Sequence, residues 1–121
     1  MTPRLIVIVD DNVDHAASLE MLLEIRGFTT ASAYDGPSGL RLILERRPRA
    51  AIVDIGLPGM SGLDIARTVR AELGDGIFLL AVTGWSARTD ERASADAGFD
   101  RHIVKPAVPD DIAAMLGILP R

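Results

Sequence analysis

At 121 residues the chain is close to the commonest domain size and long enough to bury a real core; with 48% hydrophobic and 25% charged residues it has an ordinary globular balance, and the lack of cysteine excludes a disulfide framework and thiol chemistry. A net charge of −4 and only 4% aromatic residues argue against direct nucleic-acid binding, which wants a concentrated basic surface or a stacking platform. No apolar run nears the ~20 residues that cross a bilayer and no signal peptide opens the chain, so a cytoplasmic protein with no membrane partner is expected.

Leu5–Val9 is a short continuous apolar run ending in Asp10-Asp11, and it reads as a strand buried on both faces. Ala16, Leu19, Leu22 and Leu23 then recur at helical spacing, with Gly27 as a stop. Thr29–Ala33 is more polar, as an edge strand would be. Asp35-Gly36-Pro37 starts a second helix with Leu40, Ile43 and Leu44 inward, while Arg41, Arg46, Arg47 and Arg49 fall to its solvated face and end. Ala50–Val53 is another buried strand, closed by Asp54. Ser61 caps a third helix whose inner face carries Ala66, Val69 and Leu73. Phe78–Val82 runs into Thr83, and from about Thr89 to Ala97 the apolar helical positions are mainly alanine. Ile103-Val104 centres a fifth strand, followed by Lys105, and Pro109-Asp110 opens a last helix with Ile112, Ala113, Leu116 and Leu119 inward. Five βα units without linker, repeat or low-complexity stretch predict one α/β domain over residues 1–121. Its sheet is parallel and doubly wound, with right-handed crossovers and helices on both faces.

In an open α/β sheet, ligands bind beyond the carboxyl ends of the strands. The residues expected there are Asp10 and Asp11, Asp54, Thr83 and Lys105. Clustered carboxylates repel: two unit charges ~4 Å apart cost about 4 kcal/mol at an effective dielectric of ~20. The cluster therefore needs a proton, the Lys105 ammonium or a bound cation. Oxygen ligands without His or Cys favour a hard cation, and Mg²⁺ above others for a site that keeps several waters. Such a site suits a phosphoryl group, with Asp54 as the nucleophile that forms an acyl phosphate and Thr83 as a hydrogen-bond donor to a phosphoryl oxygen.

Duller roles exist for each residue taken alone. Asp10-Asp11-Asn12 suits a helix cap, Thr83-Gly84 a turn, and Lys105 the surface. Asp54 inside an apolar run is harder to dismiss, because a buried carboxylate needs a partner or a proton. His15 reads as a solvated helix residue with no pairing that suggests a metal, and His102 as a partly exposed strand residue. Trp85, Phe78, Met60 and Met115 read as packing groups.

Four segments together carry a family resemblance: VIVDDN, AIVDIGLPGMSG, AVTGWS and HIVKP, in that order and each closing a predicted strand. Over essentially its whole length the chain resembles the receiver domain of two-component response regulators, the CheY-like superfamily. The resemblance implies a flavodoxin-like sheet of strand order 2-1-3-4-5 with five helices. It implies that Asp54 is the phosphoacceptor, that Asp11 ligates Mg²⁺ directly and Asp10 partly through water, and that Asp54 and the Gly56 backbone carbonyl complete the protein's ligands. Thr83 would contact the phosphoryl group and move on activation, Lys105 would pair with that group, and the Lys105-Pro106 bond would be cis. Leu57–Gly62 resembles the family's turn after the acceptor. The implied function is phosphorelay signal transduction rather than enzymatic turnover, the protein assisting only its own phosphorylation and dephosphorylation. A sensor histidine kinase or histidine phosphotransfer protein would be the donor, and a downstream protein would read the face made by the fourth helix, fifth strand and fifth helix. The alanine-rich inner face of the fourth helix agrees independently, since it buries little area and should be easily shifted.

Three residues depart from the pattern. His102 stands three before the lysine, where the family has Tyr or Phe, so the link from Thr83 to the surface is expected to be altered or pH-dependent. Gly56 has no side chain to orient a hydrolytic water and Trp85 is bulky, which together predict slow self-dephosphorylation. Among rivals, a haloacid-dehalogenase-type phosphatase would want Asp-x-Asp on the first strand and a cap domain. A flavin module would want a phosphate loop where Asp-Asp-Asn-Val-Asp repels phosphate. The remaining alternative is a receiver-like protein-binding module that works without phosphorylation, and the intact set Asp10, Asp11, Asp54, Thr83 and Lys105 argues against it. With no output domain after the last helix, a free-standing regulator is expected, although VDDN…HAASLEMLLE is also similar to receivers attached to hybrid histidine kinases.

Overall fold

A computed structural model of the chain describes residues 4–84, 88–105 and 108–116, with only the backbone for 88–91. Five strands alternate with five helices: β1 (Leu5–Val9), α1 (Val13–Ile25), β2 (Thr29–Ala33), α2 (Gly36–Arg46), β3 (Ala50–Asp54), α3 (Gly62–Leu73), β4 (Phe78–Thr83), α4 (Arg88–Ala97), β5 (Arg101–Val104) and α5 (Pro109–Leu116). The strands form one parallel sheet in the order β2-β1-β3-β4-β5, the expected doubly wound CheY-like arrangement. β2, the most polar strand, lies at an edge, and β1, β3 and β4 are buried on both faces apart from the half-buried Phe78 that begins β4.

The period of two along each central strand sorts the core into two layers. Val7, Val9, Ala51, Val53, Leu79 and Ala81 point to one side, where they meet Ile43 of α2, Ile65, Ala66 and Val69 of α3, and Ala97 of α4. Ile6, Ile8, Ala50, Ile52, Leu80 and Val82 point to the other, where they meet Ala16, Leu19 and Leu23 of α1 and Ile112, Ala113 and Leu116 of α5.

Helix starts follow local chemistry. Asp35 caps α2 by accepting from the Ser38 amide at 2.8 Å, with Pro37 in the first turn, and Ser61 caps α3 by accepting from the Leu63 amide at 3.1 Å. Asn12 caps α1, its side chain accepting from the His15 amide at 3.0 Å, so the two preceding aspartates are not spent on capping. Two expected inner faces need correcting. α2 buries Gly36, Gly39 and Ile43, with Leu40 and Leu42 rather than Leu44 packed on the core beside them; α3 adds the fully buried Ile65. The glycines of α2 explain the weak periodicity there: a Cβ on Gly39 would stand 2.5 Å from a Val9 methyl, so the helix packs its bare backbone on β1. Leu119, expected on the inner face of the last helix, lies outside the described residues.

Candidate functional site

Strand order reverses between β1 and β3, because the chain leaves β1 for β2 on one flank and builds β3, β4 and β5 on the other. The carboxyl ends at such a point flank a crevice. Register carries chemistry to it: Val9 pairs with Val53, Asp54 with Val82, and Thr83 with Val104. Backbone bonds extend the ladders past the strand ends, with the Asp10 amide donating to Ala33 O at 3.1 Å, Ile55 to Val82 O at 2.9 Å and Lys105 to Thr83 O at 2.7 Å. Asp10, Asp54, Thr83 and Lys105 thus emerge from four successive strands along one rim.

Asp10, Asp11 and Asp54 each place one carboxylate oxygen within 4.8 Å of the other two. Asp10 and Asp54 are only 4% exposed, while Asp11 faces solvent. Asp54 accepts from Lys105 Nζ through Oδ2 at 2.8 Å and from the Gly56 amide through Oδ1 at 2.9 Å. Partial burial by itself would lower the Lys105 pKa. The hydrogen bond and charge of Asp54, helped by Asp10 and Asp11, outweigh it and hold the ammonium above its ordinary range. α3 begins directly behind the acceptor strand: the Gly62 amide donates to Ile55 O at 3.2 Å, and a Cβ on Gly62 would lie 2.7 Å from the Asp54 carbonyl. Only glycine lets the helix start there.

The donor set fits a small hard cation. It is made of oxygen, carries more negative charge than one ammonium can balance, and its spread of up to 4.8 Å is close to the ~4.2 Å across a Mg–O octahedron (twice ~2.1 Å). Of the six expected site residues, Asp10, Asp11, Asp54 and Lys105 are brought together by these contacts. Thr83 is buried at the end of β4 beside them, and Gly56 is tied to Asp54 through its amide, a contact separate from the carbonyl that the resemblance assigns to the metal. Trp85 and Pro106, and with Pro106 the expected cis bond, lie outside the described residues.

Two residues were misjudged or missed. His15 is not merely a solvated helix residue: its Nδ1 lies 2.6 Å from Asp10 Oδ2 and its side chain is 27% exposed. A cap at Asn12 puts residue 15 in the first helical turn, five residues after Asp10, and that was the available signal. Ser94, only 1% exposed, sits one turn before Ala97 on the inner face of α4, with its hydroxyl 3.2 Å from Nδ1 of the half-buried His102. The alanine-rich face has a polar contact at its centre.

The response regulator receiver domain family matches residues 6–117 of the chain. The transcriptional regulatory protein PrrA of Mycobacterium tuberculosis is 37% identical over 120 residues, which cover 99% of this chain and 51% of PrrA. The DNA-binding response regulator MtrA of the same organism is 36% identical over 109 residues, covering 90% of this chain and 47% of MtrA. The chain therefore spans about half the length of the curated relatives it matches. Among solved structures, a CheY-like receiver domain protein from Methanospirillum hungatei JF-1 superimposes with a TM-score of 0.89 at 28% identity, over 96% of this chain and 92% of that one. A response regulator from Burkholderia pseudomallei, determined with a phosphorylated aspartic acid, calcium ion and citrate, gives a TM-score of 0.85 at 26% identity, over 93% of this chain and 66% of that one.

Proposed function

The chain belongs to the response regulator receiver domain family, and we propose that residues 1–121 form one receiver domain acting as a Mg²⁺-dependent switch phosphorylated on Asp54. The observation that carries this reading is the buried Asp54 carboxylate at the end of β3, paired with Lys105 at 2.8 Å and flanked within 4.8 Å by Asp10 and Asp11. The family is a signalling one, and the chain acts on no substrate beyond its own phosphorylation and dephosphorylation.

Asp10, Asp11 and Asp54, with the Gly56 carbonyl, would hold Mg²⁺, which when bound spreads the charge of a phosphoryl group. The rest falls to the chain's own groups. An Asp54 carboxylate oxygen attacks phosphorus; an acyl-phosphate O–P bond forms, and the P–N bond to the imidazole of a phosphohistidine donor breaks, the imidazole leaving with the electron pair. Lys105 exchanges its partner, from the carboxylate it now holds to a phosphoryl oxygen. Thr83 supplies a hydroxyl to another phosphoryl oxygen. The donor is a sensor histidine kinase or a histidine phosphotransfer protein, and the downstream partner is a protein that reads α4, β5 and α5. The setting is cytoplasmic; among the described residues no helix is long and apolar enough to cross a membrane. Gly56 offers no side chain to an attacking water, so the acyl phosphate is long-lived, and Gly56→Asn shortens its half-life.

Incubation with Mg²⁺ and acetyl phosphate, followed by intact mass, tests the reading. One added phosphoryl group, absent for Asp54→Asn and without metal, is expected. No added mass, together with no response to beryllofluoride, would leave a binding module that works without phosphorylation.

A further inference from the structure

We propose that His15 is a positioning residue of the metal site: its imidazole, in the first turn of α1, fixes the Asp10 carboxylate in the orientation that meets the cation or its bound water. This rests on the Mg²⁺ reading above and adds to it a residue that the aspartate cluster alone does not name.

Asp10 is buried, with its side chain only 6% exposed, so its charge needs donors from the protein. It has two. The Asn12 amide donates to Oδ1 at 2.9 Å, and His15 Nδ1 lies 2.6 Å from Oδ2. The first donor is backbone and would survive almost any side chain at position 12. The second exists only because position 15 carries an imidazole. An ionised carboxylate is acceptor-only, so the hydrogen in that short contact belongs to Nδ1.

One donor on each oxygen also pins the carboxylate plane, because rotation of the group would break both bonds. About four lone-pair directions exist on a carboxylate and these donors occupy two, leaving one on each oxygen for a cation or its water. The imidazole is itself set by backbone. The Asn12 side chain accepts from the His15 amide at 3.0 Å, so the bond that starts α1 also sets the ring against Asp10. Outer partners that orient metal-binding groups in this way typically cost about 10–100-fold in affinity when removed. Asp10 keeps its second donor, so the low end of that range applies here.

The test is a Mg²⁺ titration followed through the amide NMR signals of Asp11 and Gly56, in the wild type, His15→Leu and His15→Asn. Leucine fills the space without a donor, whereas the asparagine side-chain nitrogen takes the place of Nδ1. The dissociation constant should rise about tenfold for His15→Leu and return most of the way for His15→Asn. Long-range ¹H–¹⁵N spectra of the wild type should show Nδ1 protonated both with and without Mg²⁺. Amide dispersion of the metal-free variants checks that each is folded. Leucine binding as tightly as wild type, or more tightly because the imidazole competes with the cation, overturns the proposal, as does asparagine binding no better than leucine. A wild type that shows no saturable shift instead sinks the metal reading, and this proposal with it.

Discussion

Helices α3 and α4 cover the same side of the sheet, and the sheet grips them differently. α3 buries Ile65, Ala66 and Val69 completely. Among the described side chains of α4, only Ser94 and Ala97 are buried. Full burial of an Ile or Val side chain is worth about 1.5–3 kcal/mol, and a lone methyl about 0.8. α3 is therefore a fixed wall behind the Asp54 strand end, while the described side chains that α4 buries are small, Ala97 and Ser94, the latter in contact with the His102 imidazole. Elements that move in switching come from the weakly held end of this range, and α4 is where the proposed signal would leave the domain.

The contrast breaks most visibly in α3. Ile65→Ala should cost about 2–5 kcal/mol in urea unfolding, because it opens a cavity in a fully buried layer. A loss no larger than that for an α4 substitution would erase the distinction. Arg70→Met comes next, at about 2 kcal/mol. The guanidinium donates to Gly98 O at 2.8 Å, Gly74 O at 3.0 Å, Ile77 O at 2.7 Å and Asp100 Oδ2 at 2.7 Å, and hydrogen bonds to charged groups count for about 1.5–3 kcal/mol each before water replaces those it can reach. Ser94→Ala should cost only about 1 kcal/mol while raising amide exchange across residues 92–97 and leaving residues 62–73 unchanged. Equal acceleration in both helices would mean that they open as one unit.

The smallest effect is electrostatic. Lys105 has a pKa raised above the ordinary 10.5, so its contribution to stability is complete below that value and is lost as pH rises through the folded-state pKa. A stability profile from pH 9 upward should therefore fall less steeply for Lys105→Met than for wild type. With 38% of the side chain exposed, solvent screening keeps the difference small.

The sheet and the acidic rim were legible because they rest on short continuous apolar runs and on polar residues at their ends, both of which survive in one dimension. Asp54 stood out as a charge inside an apolar strand, and Asp35 and Ser61 declared two of the helix starts through their chemistry. What was illegible depended on where a side chain reaches across elements. Gly39 contributes to the core by lacking a side chain, which no count of apolar residues registers. Ser94 drew no notice in a helix read by its alanines, because its contact is with His102 of the neighbouring strand. His15 looked solvated because its partner lies five residues back, across the turn from strand to helix.

The bonds made by Arg70 have a mechanical meaning as well. They collect at the amino ends of β4 and β5, away from the acidic rim, and they tie down Gly98 immediately after the last turn of α4. The fit is tight, since a Cβ on Gly98 would lie 2.6 Å from Arg70 Cγ. A ten-residue helix is a rod of ~15 Å, and a tilt of ~10° about one anchored end carries the other through about 2.6 Å. Anchored so, α4 would swing about Gly98 in the proposed switch, and a small push near the rim would become a rotation of the surface rather than a strain shared along the rod.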